Sequence, residues 1–491
     1  MILNKSNKIQ ARKFFNEILN LGIEFKLDDK VTKKHLSIQE GLGLINDLPE
    51  EGQDENSILE EFKQKVLPYC TNFSSRNFMG FPDAGNSVAS IGGALLYNFL
   101  QQNLINQNFC GPSATFIEIC VINWLRETVG YSKLRNIKDI WDVGGLITPG
   151  GTSSNTIGIM LARENKFPGA MESGVTDPDK GWLIVPKGIG HYSVKSGQMW
   201  VGCGNRLIEV ETNDFKYDLV DLKKKLVENK GKVMCVVAYA GDSRTMTVDN
   251  FGKVAEIVKS VDPNIWLHAD ACHGFSLGFS NNLRHMIKGI EQFDSISLDP
   301  HKVLVTPYVI STLLVKDPKK LKAITSLSDL IMQEQFAFGQ VTPFLGSRPW
   351  ISLKLWFVMK NLGKKGLSDL IDKRHQLAVY LESKLRKDHD FIALNKVQIN
   401  SVAFMYKGNI DIKNIDLLNQ VNKKIHESII KEGKFHLHQF SVPDSGVIKK
   451  DEILYPQRFM CGNPNTTEND VDNMVEYVRK MGQKVVTKFD K

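Results

Sequence analysis

A lysine stands between two apolar, β-type runs of this sequence. FDSISL (293–298) precedes it and VLVTPYVISTLLV (303–315) follows it, so Lys302, beside His301, lies at the end of a predicted strand. Most lysines are solvated surface residues. At the rim of a buried sheet, however, desolvation lowers the pKa of an ammonium group, and the free amine is a nucleophile toward aldehydes. The sequence therefore predicts carbonyl chemistry at Lys302.

Three further polar segments follow or precede apolar runs. IWLHADACHG (265–274) places Asp270 at the end of a predicted strand, and GIGHYSVKSG (188–197) presents His191 after the strand WLIVP. TPGGTSSNT (148–156) supplies two glycines and several hydroxyls before a helical run. Each segment has an ordinary explanation on its own, because such side chains often cap helices or sit in satisfied hydrogen bonds.

Taken together, these features fit the chemistry of pyridoxal 5′-phosphate (PLP). Lys302 would form a Schiff base with the aldehyde of that cofactor. Asp270 would keep the pyridine nitrogen protonated, and His191 would lie over the ring and move protons near the substrate α-carbon. The phosphate would be held at a helix N-terminus by backbone N–H groups and the hydroxyls of Thr152, Ser153 and Ser154.

The stretch HADACH (268–273) also allows a metal site to be considered. Alternate side chains of a strand point to opposite faces, so His268 and Asp270 would share one face. The turn that follows would send Cys272 and His273 elsewhere. We therefore expect no metal, and a zinc-dependent hydrolase is the weaker interpretation.

The elements that position these residues are short strands that alternate with helices. Such strands, apolar throughout, indicate an α/β protein whose mostly parallel sheet is covered on both faces. Ligands of such sheets bind beyond the carboxyl ends of the strands. The predicted strands are WLIVP (182–186), RLIEV (206–210), VMCVVAY (233–239), IWLHA (265–269) and FDSISL (293–298).

The pattern along the chain predicts three regions. Residues 1–90 are polar and helical, residues 91–365 form the large domain, and residues 366–491 form a smaller αβ domain. A long helix with a break near Gly363 separates the last two.

Composition excludes several classes of protein. The 62 basic and 55 acidic residues give a net charge of +7, but the lysines are scattered, so nucleic-acid binding is not expected. Seven cysteines without regular spacing favour a reducing compartment. The N-terminal residues lack the apolar core of a signal peptide, and no window is long and apolar enough to span a membrane. We therefore expect a cytoplasmic protein.

The same residues resemble motifs of the group II PLP-dependent decarboxylases, over nearly the whole chain. DPHK (299–302) is similar to the segment that carries the Schiff-base lysine, and HADAC (268–272) resembles HVDAA, whose aspartate faces the pyridine nitrogen. HYSVK (191–195) resembles the motif of the stacking histidine, and PGGTSSN (149–155) resembles the phosphate loop. The family contains glutamate, aromatic amino acid, histidine and diaminobutyrate decarboxylases and some aldehyde synthases.

This resemblance implies a fold, an assembly and further site residues. It implies the fold type I architecture of PLP-dependent transferases, as a homodimer with active sites at the interface. Further cofactor contacts are implied for Asp299, His301 and Cys272, and for Ser347, which would reach the partner subunit's phosphate. Substrate contacts are implied for Phe81, Pro82 and Arg458. Arg458 could equally form a structural ion pair.

Two stretches depart from the family pattern. Many members have a tyrosine on a mobile loop that returns a proton to the carbanion, and aldehyde-forming relatives have phenylalanine there. The corresponding stretch here, 326–347, contains Phe336 and Phe338 and no tyrosine. In VVAYAGDSRT (236–245), Tyr239 replaces a threonine close to the cofactor. We therefore hypothesise that Tyr239 or His191 supplies the proton.

The resemblance implies decarboxylation of an L-amino acid to its amine. The alternative within the family is decarboxylation with oxidative deamination to an aldehyde. A non-catalytic protein with a degenerate PLP fold is disfavoured by the intact set Lys302, Asp270 and His191. The sequence does not identify the substrate.

Overall fold

The computed structural model describes residues 2–325, 335–341 and 343–489 and contains one large sheet of seven strands. The order of this sheet is β1-β9-β8-β7-β6-β2-β3. The strands in chain order are β1 (Gly145–Thr148), β2 (Trp182–Pro186), β3 (Leu207–Val210), β4 (Thr212–Asn213), β5 (Lys216–Tyr217), β6 (Val233–Tyr239), β7 (Trp266–Asp270), β8 (Ser295–Leu298), β9 (Ser311–Val315), β10 (Phe391–Ala393), β11 (Ser401–Tyr406), β12 (His438–Gln439), β13 (Val442–Pro443), β14 (Ile453–Leu454) and β15 (Gln457–Met460).

The sheet is mostly parallel, as predicted. β3, β2, β6, β7 and β8 pair in parallel, and the five strands predicted from apolar runs are all present. β9 is antiparallel to both β8 and β1, so β1 points the same way as the parallel strands. β1 was not predicted, and only the last part of the run 303–315 is a strand. The carboxyl ends of β1, β2, β6, β7 and β8 therefore meet at one edge.

Helices pack against the large sheet. The helices are α1 (Lys8–Leu27), α2 (Ile38–Leu42), α3 (Glu55–Lys65), α4 (Val88–Leu100), α5 (Pro112–Thr128), α6 (Gly151–Lys166), α7 (Ala170–Ser173), α8 (Tyr192–Trp200), α9 (Leu219–Glu228), α10 (Phe251–Val261), α11 (Pro300–Val303), α12 (Leu353–Lys387), α13 (Ile415–Glu432) and α14 (Glu468–Phe489). Short 3-10 helices occupy 67–69, 140–142, 178–180, 274–279, 284–287, 290–292, 318–324 and 338–340. None of the described helices is long and apolar enough to cross a membrane.

Helix α6 has the central position. It contacts β6, β7, β8 and β9, and most of its residues from Ser154 onward are buried. Gly158 allows this close packing, because a Cβ at that position would lie 2.5 Å from Cε1 of His268 in β7. The N-terminus of α6 is thereby held at the carboxyl edge of the sheet.

A smaller αβ unit lies at the C-terminal end of the chain. Strands β10, β11, β15 and β12 form its antiparallel sheet, and α13 and α14 pack together beside it. Of residues 434–440, an apolar run in this unit, only His438–Gln439 pairs in that sheet. Helix α12 leads into this unit and is kinked at Gly363, where φ is 59°. The predicted domain boundaries remain predictions.

Candidate active site

A cavity of about 230 Å³ opens at the carboxyl edge of the large sheet. Most of the residues that the sequence singled out line it, although they are far apart in the chain. They are Thr152, His191, Tyr239, Asp270, Cys272, Asp299, His301 and Lys302. The strand register explains part of this grouping, because Tyr239, Asp270 and Ser297 are direct neighbours across β6, β7 and β8.

Lys302 forms an ion pair inside this cavity. Its Nζ lies 2.9 Å from Oδ2 of Asp299, whose other oxygen accepts a hydrogen bond from Ser311. Burial alone lowers the pKa of Lys302, but the charges of Asp299 and Asp83 outweigh it, and the net pKa is raised above the ordinary value. The expected depression of the Lys302 pKa was therefore wrong, because a carboxylate three residues away pairs with the amine.

Asp270 ends β7 with two donors on its carboxylate. Oδ2 accepts a hydrogen bond of 2.8 Å from the side-chain amide of Asn155, and Oδ1 accepts one of 3.2 Å from the backbone N–H of Cys272. These two hydrogen bonds fix the orientation of the Asp270 carboxylate. Each oxygen retains a further lone pair for a donor in the cavity.

His191 is the N-cap of α8 and is fixed at both its ring and its backbone. Nδ1 lies 2.6 Å from the hydroxyl of Ser193, and the backbone N–H donates to the hydroxyl of Tyr239 at 3.0 Å. Burial lowers the pKa of His191 and raises the pKa of the Tyr239 phenol well above its ordinary value. Both side chains are therefore neutral near pH 7.

The N-terminus of α6 forms another wall. Gly150 precedes the helix with a φ of 129°, and no side chain caps the first turn. The N–H groups of Gly151 and Thr152 are thus available to an anion, and both residues line the cavity.

The prediction for the Ser154 hydroxyl was wrong. Its oxygen lies 2.6 Å from the hydroxyl of Thr148, its N–H donates to the carbonyl of Gly150, and the residue is fully buried. One helical turn carries Ser154 to the sheet side of α6. Ser153 is half-buried and does not line the cavity, so its role stays a prediction.

The turn after β7 also differs from expectation. His273, which was expected to point elsewhere together with Cys272, lines the cavity with it. Nδ1 of His273 has no hydrogen-bond partner among the described residues, and burial lowers the pKa of this ring well below its ordinary value. His268 lies below the cavity, where it contacts Asn155 and Ser295. Within the described ranges, no three His, Cys, Asp or Glu residues are arranged to hold a metal.

The predicted substrate residues lie beside the cavity. Phe81, next to Pro82, packs at 4.8 Å from the ring of His438 and at 5.8 Å from the Arg458 guanidinium. Arg458 donates to the carbonyls of Ser243, which lines the cavity, and Gly80, and its Nε has no partner in the described part of the chain. No ion pair of Arg458 is found among those residues, so the structural ion-pair interpretation is not supported.

Two predicted features lie away from the cavity. Ser347 is exposed, and its contact with a partner subunit stays a prediction. In the stretch 326–347, residues 326–334 and 342 lie outside the described residues. Phe336 packs against Phe116 with ring centroids 5.4 Å apart, and Phe338 is buried beneath the Arg348 guanidinium.

Sequence reasoning missed Asn155, Ser193 and His273. Asn155 lies in the quoted TPGGTSSNT segment, one turn into the helix, where an amide looks like an ordinary polar residue. Its contacts with Asp270 and Ser193 depend on how α6 crosses the sheet, which no local pattern encodes.

The residues of the cavity fit PLP. The uncapped N-terminus of α6 suits a phosphate, Asp270 suits a protonated ring nitrogen, and Lys302 is the amine for the aldehyde. Gly151 packs closely against Asp299, because a Cβ at position 151 would lie 2.6 Å from Asp299 Oδ2.

Comparison with known proteins gives a consistent result. A profile of the pyridoxal-dependent decarboxylase conserved domain matches residues 40–407. The chain is 26% identical over 456 residues to aromatic-L-amino-acid decarboxylase of Bacillus atrophaeus, covering 90% of this chain and 88% of that protein. It is 25% identical over 457 residues to cysteine sulfinic acid decarboxylase of Rattus norvegicus, covering 89% and 88%. The crystal structure of Oryza sativa TDC with PLP and tryptamine has a TM-score of 0.86 at 20% identity, covering 98% of this chain and 99% of that one. The fold is thus the expected fold type I.

Proposed function

This chain belongs to the pyridoxal-dependent decarboxylase family, and from that premise we propose that it converts an L-amino acid into the corresponding amine and CO₂. It is a PLP-dependent carboxy-lyase of amino acid metabolism. The observation that supports the finer proposal is a single cavity lined by Lys302, Asp270 and His191, with an uncapped helix N-terminus in its wall.

Different residues of the cavity would bind different parts of the cofactor. N–H groups of Gly151 and Thr152 would hold the phosphate, while Lys302 would hold the aldehyde carbon. Asp270 would keep a proton on the ring nitrogen, because its carboxylate is stabilised by Asn155 and the N–H of Cys272. When bound, the cofactor supplies an electron sink for the bond between the substrate α-carbon and its carboxylate.

A proton must reach the α-carbon after CO₂ has left. The Tyr239 phenol and the His191 imidazole both line the cavity, and the backbone N–H of His191 donates to the Tyr239 hydroxyl, which holds the two residues together. The raised pKa of Tyr239 keeps its hydroxyl protonated, so it can donate. We assign this step to Tyr239 or His191, since 326–347 contains no tyrosine.

The same missing tyrosine supports a second candidate. An aldehyde synthase would consume oxygen and water and release the aldehyde with CO₂, ammonia and hydrogen peroxide. Amine output without ammonia or peroxide would exclude this candidate, and the opposite result would replace the first proposal.

We also propose a homodimer in the cytoplasm. Several apolar side chains of α1 and α4 are exposed in the single chain, and a second copy would cover them. They include Ile9, Ile23, Leu27, Leu96 and Phe99, which are 42–87% exposed. All seven cysteines are free thiols, which is consistent with a reducing compartment.

The direct test is a substrate screen. The protein loaded with PLP is incubated with each standard amino acid, and CO₂ and amine are measured. Stoichiometric CO₂ and amine from at least one amino acid would support the proposal. A protein that binds PLP and releases CO₂ from none of them would contradict it.

A further inference from the structure

A buried chain of hydrogen bonds runs from the floor of the large sheet to the ring of His191. Its members are Trp266, Ser295, His268, Asn155, Ser193 and His191, and a branch from Asn155 reaches Asp270. Every link between neighbours is between 2.6 and 3.0 Å long. Four of these residues line the cavity, namely Asn155, Ser193, His191 and Asp270.

Trp266 fixes which atoms donate and which accept at the far end of these hydrogen bonds. An indole N–H can only donate, and it donates to the hydroxyl of Ser295 at 2.8 Å. The Ser295 hydroxyl can then give its own proton to Nδ1 of His268, also at 2.8 Å. Burial lowers the pKa of His268 to about 4, so the ring is neutral and carries its proton on Nε2.

Asp270 fixes the donors and acceptors a second time. Its carboxylate can only accept, so the Nδ2 group of Asn155 must face it. The Oδ1 atom of Asn155 is thereby turned to Nε2 of His268, at 3.0 Å, where it needs a donor. Trp266 and Asp270 thus both require His268 to carry its proton on Nε2.

The last link sets the state of His191. Asn155 gives its second N–H to the hydroxyl of Ser193 at 2.8 Å, and that hydroxyl lies 2.6 Å from Nδ1 of His191. The backbone N–H of Ser193 points at the same Nδ1 at 3.3 Å. Two donors converge on Nδ1, so the neutral ring of His191 must carry its proton on Nε2.

We infer that Asn155 is a positioning residue that locks His191 in the Nε2–H tautomer and, with the same amide, holds Asp270 in place. His191 is then a hydrogen-bond donor toward the cavity through Nε2, and Nδ1 is closed to proton exchange. The packing at Gly158, one turn further along α6, brings Asn155 within reach of His268. The effect on catalysis rests on the proposed function, but the tautomer itself does not.

The test is nitrogen NMR of protein labelled with ¹⁵N-histidine, both free and loaded with PLP. The His191 signal is assigned by its loss in His191→Gln. In the wild type we expect a protonated Nε2 and an unprotonated Nδ1. In Asn155→Asp, the new carboxyl group faces Asp270 and must share a proton with it, and it accepts from Ser193 as well as from His268. The Ser193 proton therefore leaves His191, and the ring proton should shift toward Nδ1.

Two further variants complete the design. Ser193→Ala removes one donor to Nδ1 and should give a mixture of tautomers even if Asn155→Asp does not fold. Asn165→Asp makes the same substitution near the end of α6, where the side-chain amide of Asn165 donates to the carbonyl of Asn264. It should leave the nitrogen signals of His191 unchanged. A wild-type ring protonated on Nδ1, or identical spectra of His191 in wild type, Asn155→Asp and Ser193→Ala, would overturn the inference. Either result would leave the substrate screen unaffected.

Discussion

Nζ of Lys302 lies 2.9 Å from Oδ2 of Asp299, three residues earlier in the same short segment. Asp299 is buried and Lys302 is half-buried beside the N-terminus of α6, and the ion pair holds the lysine as an ammonium group. An ammonium group must lose a proton before it can react with an aldehyde. Asp299 therefore opposes the first covalent step while it keeps Lys302 oriented.

Replacing Asp299 with asparagine should speed cofactor capture. Without the Asp299 carboxylate, the largest contribution that raises the pKa of Lys302 is gone while burial still lowers it, and each unit of decrease gives about tenfold more free amine near neutral pH. We expect the rate of PLP binding by the cofactor-free protein, followed by visible absorbance, to rise about tenfold or more. Asp177→Asn is the matched control, because it breaks an exposed lysine pair of the same spacing and 2.9 Å length. An unchanged or slower rate would contradict the role given to Asp299.

The positions of the cavity residues were predictable from the sequence, whereas the raised pKa of Lys302 was not. Lys302, Asp270 and His191 each follow an apolar run, and parallel strands bring such ends together. The pKa of Lys302 depends instead on whether Asp299 turns toward it, which the letters DPHK do not state. His273 was misplaced for a similar reason, because the direction of a turn is set by packing.

Reduction with borohydride should attach PLP to Lys302. We expect mass spectrometry to find the label on the peptide that contains this residue, and Lys302→Ala to abolish it. Lys354, a buried lysine that does not line the cavity, is a demanding control, because burial lowers its pKa to about 8 and makes it a competing amine. Its Nζ donates to three carbonyls, of Pro307, Tyr308 and Val309, and we expect no label there.

Acid should destabilise the protein through His268. Burial lowers the pKa of this ring from 6.5 to about 4. Between those values the unfolded chain binds a proton that the folded protein does not, so the free energy of unfolding falls as the pH drops through that window. The full loss is about 3 kcal/mol, and it levels off below the folded pKa.

Urea unfolding at several pH values measures this effect. In His268→Gln the dependence on pH between 6.5 and 4 should be weaker than in the wild type, because one titrating group is gone. His285→Gln gives the effect of the same substitution at an exposed position. Equal slopes for wild type and His268→Gln would show that the ring does not titrate as described.

We expect a substitution at Arg458 to affect the stability of the protein more than its binding of substrate. The Arg458 guanidinium donates from two different nitrogens to the carbonyls of Ser243 and Gly80, and the single nitrogen of a lysine does not reproduce this planar fork. We expect Arg458→Lys to lower the free energy of unfolding by about 1–3 kcal/mol. The sequence suggested contact with the substrate carboxylate, and KM tests it: a large rise in KM with little loss of stability would favour that role over the one expected from the contacts.

Tyr239→Phe tests how the proton returns to the substrate carbon. The change removes a phenol that lines the cavity and also the acceptor for the His191 backbone N–H, at 3.0 Å. We expect amine production to fall by roughly 10²-fold if Tyr239 is the donor, a typical contribution of a positioned acid, with a loss of stability of about 1 kcal/mol from the missing hydrogen bond. Tyr217→Phe is the control for losing a buried phenol, because its hydroxyl bonds the carbonyl of Val237 inside the core. Unchanged amine output from Tyr239→Phe would assign the proton to His191 instead, and a rise of aldehyde at constant CO₂ would show that the phenol protects the carbon from oxygen.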